Sequence, residues 1–158
     1  MVVRLIAVGR VRDPGLRQAC NRYVARVRRC FRFEMVEVRG RGVGDRNPAH
    51  TRRIEADGIR RAVLPGSRLV ALTRHGDTLS SQQWATRLGT WRESAQDVAI
   101  VIGGAHGLDP EFLAGATERL SLSALTFPHE LARLVALEQL YRAATIRRGE
   151  PYHKGTFK

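Results

Sequence analysis

The stretch "DVAIVIGG", Asp97 to Gly104, is apolar from Val98 through Ile102 and stops at two glycines. A strand with one face in water alternates apolar and polar residues, whereas a strand covered on both faces has no need to. Such a segment requires neighbouring strands and a layer above and below it, and a chain of 158 residues is long enough to supply both. "VVRLIAVG" reads as a first strand closed by Gly9, "FRFEMVEVR" as an alternating second and "SRLVALTRHG" as a third, which makes "DVAIVIGG" the fourth. From Pro14, Leu16, Ala19, Cys20, Tyr23, Val24 and Val27 recur at helical spacing. A second helix is expected to end near Val63, after the loop-like "GRGVGDRNP", and a third to run from Ser80 to Trp91. A short helix opening at Asp109 or Pro110, an extended "LSLSAL" and a long helix from about Pro128 to Arg148 complete the order. Strands alternating with helices predict an α/β fold with a mainly parallel sheet. No linker, repeat or low-complexity block divides the chain, so one domain over residues 1–158 is expected.

Several classes are disfavoured. Cys20 and Cys30 form no CxxC or Cys/His ligand spacing, and His50, His75, His106, His129 and His153 are scattered, so no metal site is expected. No apolar run is long enough to cross a bilayer, and Arg4 interrupts a start that lacks the parts of a signal peptide; the expectation is a cytoplasmic protein without membrane association. The net charge of +12 is unevenly spread: 16 Arg face 6 acids up to Ala62, against 11 basic and 9 acidic residues after it. A basic half beside a balanced one suggests a footprint for a polyanion. Solvated helix faces explain the charge equally well, and charge does not separate RNA, DNA and anionic lipid.

The loop "VIGGAHGLDP" follows the most apolar strand, at the end where open α/β sheets bind ligands. Gly103 and Gly104 allow a ligand to approach the backbone, and Gly107 can take a positive φ. The spacing is neither a dinucleotide fingerprint nor a phosphate-cradling P-loop. A plain strand-to-helix turn is the simpler alternative. In "TFPHELARLVALEQLYRA", Thr126 can cap the last helix, Pro128 suits its first turn and Glu130 favours its positive end. Leu131, Leu134, Val135, Glu138, Tyr141, Arg142 and Thr145 then share one side, with Glu138 and Arg142 interrupting an apolar stripe. His129 and Arg133 form a second pair one turn apart. On an exposed face these would be ordinary helix pairs; at an apolar seam, a buried charge needs a partner, a site or a subunit interface. In the tail, Tyr152, His153 and Lys154 offer a stacking ring, an imidazole and a phosphate partner.

Taken together, "VIGGAHGLDP", "LSLSALTFPHELARLVALEQLYRA" and the closing "PYHK" resemble the RlmH family of bacterial ribosomal RNA methyltransferases, of the SPOUT class; the opening "RLIAVGR" resembles it too. Ala105 and His106 occupy loop positions that vary in that family, and "GTFK" extends past its usual ending. The resemblance implies a SPOUT domain with a C-terminal trefoil knot, S-adenosylmethionine as cofactor, a homodimer, and methylation of N3 of a pseudouridine in 23S ribosomal RNA within the large subunit or ribosome. Matched residue by residue, it implies cofactor binding by Leu72, by Gly103 and Gly104, and by Leu122, Ser123, Ala124, Leu125, Thr126 and Phe127. It implies a catalytic group of Glu138, Arg142, Tyr152, His153 and His129, with Tyr152 and His153 supplied by the partner subunit. His153 is the first candidate for removing the N3 proton and Glu138 the second. The rival expectations are a non-enzymatic basic RNA-binding ribosome-assembly factor and a SPOUT enzyme acting on transfer RNA.

Overall fold

A computed structural model of the chain describes residues 1–41, 44 and 46–152. Five strands form one sheet in the order β2-β1-β4-β3-β5, all neighbours parallel. They are β1 (Val3–Val8), β2 (Phe33–Val38), β3 (Arg68–Thr78), β4 (Val98–Ile102) and β5 (Glu118–Ser121). The helices are α1 (Pro14–Arg28), α2 (Pro48–Ala62), α3 (Ser81–Glu93), α4 (Pro110–Ala114) and α5 (His129–Arg147). Every residue of β4 is buried, as its unbroken apolar run requires.

The two faces of the sheet belong to different cores. Val3, Leu5, Ala7, Val70, Leu72, Val98 and Ile100 pack with residues of α1, α3 and α5, including Trp84, Trp91, Leu137 and Leu140. Ile6, Val8, Ala71, Ala99 and Val101 pack with Ala56 and Ile59 of α2 and Phe112 of α4. This alternation is the period of two of a strand. Crossovers toward the β2 edge place their helices, α1 and α3, on the first face; those in the opposite direction place α2 and α4 on the second. A uniform crossover hand requires this arrangement. It also leaves β4 between neighbours, β1 and β3, whose following helices lie on the opposite face from its own. Such reversals, at the carboxyl ends of the strands, are where open α/β sheets bind ligands.

Most helix starts were written in local chemistry. Asp13, Asn47, Ser80 and Asp109 each accept a backbone N–H from the first turn, and Ser80 with Gln83 completes a capping box. The last helix differs from expectation. Pro128 is its N-cap residue, no side chain caps it, and Thr126 lies exposed outside it. Pro128 sets the helix start by its fixed φ, with no help from the threonine. The extended segment differs too: β5 is Glu118–Ser121, so the strand ends as "LSLSAL" begins. Its partner β3 selects that register, pairing Val70 with Glu118 and Leu72 with Leu120. β3 in turn runs on to Thr78, with a register shift between Leu72 and Asp77. The expected loop "GRGVGDRNP" falls partly outside the described residues.

The buried face of α5 is Arg133, Ala136, Leu137, Leu140, Ala143, Ala144 and Thr145. Of the stripe read from sequence only Thr145 belongs to it; Leu131, Leu134, Val135, Glu138, Tyr141 and Arg142 are half-buried. The helix carries apolar residues nearly all round, so spacing alone did not distinguish the face turned to the sheet from the one beside it.

Candidate functional site

The strand register gathers the segments expected to hold a cofactor. Leu72 of β3 pairs with Ile102 on one side and Leu120 on the other. Gly103 therefore follows the level of Leu72 directly, and Leu122 lies two residues beyond it on the other flank. Residues 122–127 form neither helix nor strand. Ser121 donates its hydroxyl to the Ser123 carbonyl at 2.9 Å, and the Leu125 N–H reaches Ser123 Oγ at 3.0 Å, which shapes the segment locally. Leu125 is 71% exposed, the one large apolar side chain so exposed among the described residues. An exposed apolar side chain beside backbone polar groups suits a nucleoside without phosphate better than a nucleotide.

The glycines of the turn have a structural reason of their own. A Cβ on Gly103 would stand 2.7 Å from the Gly107 carbonyl carbon, and one on Gly104 would stand 2.9 Å from Glu55 Oε2 and 3.0 Å from Val8. The turn folds back on itself through the Gly104–Gly107 bridge, with Gly107 at φ +77°. The space beside Gly104 is thus filled by the protein, a departure from the expectation that both glycines open room for a ligand.

Toward the end of α5 a second group assembles. Glu138 Oε1 accepts the Arg142 guanidinium through Nε at 2.9 Å and Nη2 at 2.5 Å, and the Tyr152 hydroxyl at 3.1 Å. Glu138 Oε2 accepts the Gln139 amide at 2.6 Å. Tyr152 and Tyr23 share a hydrogen bond of 2.9 Å, Arg142 lies 4.9 Å from the Tyr152 ring centre, and Tyr141 packs edge-on against Tyr152 at 4.8 Å. Burial, then the bond to Tyr23 and the Glu138 charge, push the Tyr152 phenol well above its ordinary range, so it stays protonated. The bond to Glu138 pushes the Arg142 guanidinium further up, so it stays cationic. Three expected residues, Glu138, Arg142 and Tyr152, thus meet within one chain, whereas the resemblance implied a Tyr152 supplied by the partner subunit. His153 lies outside the described residues.

His129 is not with them; nine residues before Glu138, it sits about 13 Å back along the helix axis. Its Nε2 would be 3.5 Å from a Cβ on Gly9, which ends β1 at φ +82°. Here the first turn of α5 clasps the carboxyl ends of β1 and β2. Arg133, 2% exposed, donates to Glu37 Oε1 at 2.6 Å and to the Gly9 carbonyl at 2.7 Å. Glu130 Oε2 accepts the backbone N–H of Arg12 at 3.1 Å. Beside the clasp opens a cleft of about 1400 Å³, reaching from Gly9 and Arg39 to Glu55 and Gly104. Sequence reasoning assigned neither Tyr23 nor the Arg133–Glu37–Gly9 clasp. The signal for Arg133 was its position one turn from His129; Tyr23 looked like any apolar residue of an amphipathic helix. Among the described residues no group of three His, Cys, Asp or Glu could hold a metal ion, and no helix is long and apolar enough to cross a membrane.

Residues 1–153 match the family model described as "Predicted SPOUT methyltransferase". The chain is 48% identical over 155 residues to the ribosomal RNA large subunit methyltransferase H of Anaeromyxobacter dehalogenans (strain 2CP-1), with 98% of this chain and all of that protein covered. It is 40% identical over 154 residues to the protein of the same name in Dechloromonas aromatica, covering 98% and 99%. Two solved structures share the fold, each at a TM-score of 0.56. A protein of Haemophilus influenzae Rd KW20 described as a "probable methylase family protein" is 14% identical, with 99% of this chain and 72% of that one covered. A protein of Bordetella pertussis Tohama I described as a "probable methyltransferase" is 16% identical, covering 90% and 95%. The chain belongs to the SPOUT methyltransferase family, among relatives named ribosomal RNA large subunit methyltransferase H.

Proposed function

We propose that the whole chain, as one SPOUT domain, methylates N3 of a pseudouridine in 23S ribosomal RNA on the assembled large subunit or ribosome, with S-adenosylmethionine as donor. The names of the relatives support ribosomal RNA as substrate. The observation that carries the cofactor site is the register that brings Leu72, Gly103 and the start of the 122–127 segment to the carboxyl ends of three adjacent strands. The backbone of these residues and of Gly104, with the side chains of Leu72, Leu122, Leu125 and Phe127, would hold the donor. Once bound, it supplies an electrophilic methyl group on a sulfonium. The same reading includes a trefoil knot in this half, where β3 and β5 are neighbours in the sheet.

A second copy of the chain completes the site in this reading, and the half-buried second face of α5 supports one. Positioning provides much of the rate, and one base removes the N3 proton. His153 is the first candidate for that base. Glu138 is the second; with both oxygens engaged, its immediate effect is to orient Tyr152 and Arg142. Tyr152 offers a ring and a neutral phenol to the target base, Arg142 a fixed cation, and His129 holds the start of α5 against Gly9. A protein acting on ribosomal RNA in a bacterium works in the cytoplasm.

The test is calorimetric titration with S-adenosylmethionine, followed by mass mapping of ribosomal RNA after incubation with large subunits. Leu125→Arg places a cation on an exposed position that the fold does not need, and should abolish binding while the thermal midpoint holds. Saturable binding and one added methyl on a 23S pseudouridine are expected. Binding with methylation of transfer RNA alone would overturn the substrate. No binding at millimolar donor, with ribosomes present or absent, would favour the non-enzymatic assembly factor.

A further inference from the structure

The cleft beside the α5 clasp lies at the β1/β4 reversal, and the cofactor segments lie on the far side of β4. At about 1400 Å³ it exceeds the roughly 300–1,000 Å³ of a small-ligand pocket. Its rim and floor differ in chemistry. Arg10, Arg12 and Arg39 are exposed on the rim, and among the described residues their guanidinium groups make no hydrogen bond or ion pair. Most other charges at this end are spent internally: Arg133 on Glu37 and Gly9, Arg17 on the carbonyls of Val11 and Arg12, Glu130 on the backbone of Arg12 and Asp13. These bonds fix the backbone that displays the three free arginines. On the floor stands Glu55, 4% exposed. Its Oε1 accepts the Arg41 N–H at 3.1 Å, while its Oε2 has no partner and lies against Gly104.

A cationic rim above an acceptor floor selects a particular ligand. A bare phosphate or polyphosphate would gain the rim and be repelled by the floor. A nucleotide strand satisfies both, with its backbone anionic and its base edges carrying N–H donors. We infer that this cleft holds a single-stranded stretch of the substrate RNA beside the methylated nucleotide, its phosphates on Arg10, Arg12 and Arg39 and one base turned inward toward Glu55. The inference rests on the ribosomal RNA methyltransferase reading and adds where the strand runs. Gly104 forms part of the cleft wall and belongs to the cofactor turn, so a strand seated here passes directly to the methyl-transfer site. Of the 16 arginines before Val63, three become specific contacts and the exposed remainder a diffuse field.

The experiment compares the wild type with R10A/R12A/R39A and with R28A/R53A/R61A, which removes equal charge from exposed positions outside the cleft. Methyl transfer to large ribosomal subunits is measured across a salt series, with S-adenosylmethionine affinity measured separately. A single-strand phosphate contact contributes about 0.7 to the slope of log affinity on log salt, so the cleft variant should lose about 2 from that slope. Its KM for subunits should rise on the order of a hundredfold at 0.1 M salt, with kcat within about twofold and cofactor affinity unchanged. Equal losses in the two triple variants would overturn the cleft and leave only the diffuse field. A wild type that binds no cofactor or transfers no methyl would overturn the parent reading, a failure recognisable before either variant is tested. Glu55→Gln tests the floor: weaker RNA binding at an unchanged salt slope is expected, because an acceptor is lost and no phosphate contact is. Tighter binding, the result of merely removing a negative charge from a basic cleft, would overturn the inward base.

Discussion

The two sides of β4 are built from different materials. On the β3–β5 side the contacts that matter are between backbones: Gly76 lies against Leu120 and Arg119, and Gly103 against Gly107 and Leu108. On the β1–β2 side side chains close the structure, with Arg133, Glu37, Glu130 and Glu55 tying α5, α2 and two strand ends together. A main-chain wall presents fixed N–H and C=O groups and an apolar surface, suited to one invariant ligand. A side-chain wall presents charge at a rim, suited to a polymer held through its phosphates. The contrast parallels the composition, with the arginine surplus falling in the half that supplies β1, α1, β2 and α2.

The two sides should therefore fail differently. Gly76→Ala should produce the largest effect. Its Cβ would lie 2.5 Å from the Leu120 carbonyl carbon, and Leu120 is held in place by pairing with both Leu72 and Asp77 on either side of the register shift. A loss of about 3 kcal/mol is expected from denaturant midpoints at constant m. A loss under about 1 kcal/mol would mean that the β3–β5 crossing relaxes and is not the rigid wall described. Arg133→Met should cost less, about 2 kcal/mol, because it leaves the Gly9 carbonyl unbonded while Glu37, 42% exposed in its side chain, recovers water. It should also loosen the β1–α1 loop and raise the KM for ribosomal subunits without altering cofactor affinity. A fall in cofactor affinity instead would couple the two sides.

The contrast was only partly visible in the sequence. Element order and the central position of β4 followed from apolar spacing, and the starts of three helices, near Pro14, Ser80 and Asp109, from local signals, since both are consequences of neighbours in the chain. The cofactor segments were reached through resemblance and then found gathered by strand register. What escaped were long-range pairings. Tyr23 and Tyr152 are 129 residues apart, Arg133 and Glu37 96, and Arg133 and Gly9 124. No periodicity within a helix reports such a partner. The buried face of α5 escaped for another reason: with apolar residues on two sides, its pattern has no single direction, and packing against α1 and α3 makes the choice.

Glu138→Gln should act on turnover far more than on stability. The amide keeps the volume but weakens two charge-assisted bonds to Arg142 and one bond from Tyr152. Because the Glu138–Arg142 pair is partly exposed, less than about 1 kcal/mol of stability should be lost. Methyl transfer should slow on the order of tenfold with cofactor affinity unchanged, as expected for a group that holds Tyr152 and Arg142 in place. Wild-type turnover in this variant would remove Glu138 both from positioning and from proton transfer.

The smallest effect concerns Tyr152 and has a definite sign. Its phenol is held above the ordinary value by burial first, then by Tyr23 and the charge of Glu138, so the folded protein keeps a proton that the unfolded chain loses near pH 10. The resulting stabilisation is complete below about pH 10 and declines as the pH rises above it, because ionisation then pulls the equilibrium toward the unfolded chain. Between pH 8 and 11 the wild type should therefore lose more stability than Tyr152→Phe, which has no proton to lose there. Partial exposure keeps the difference to at most about 1 kcal/mol. Denaturant midpoints for both proteins at the two pH values measure it. The opposite order would mean that Arg142, 4.9 Å from the ring centre, outweighs burial and Glu138. Tyr152 would then meet the target base as a phenolate, able to accept a proton rather than donate one.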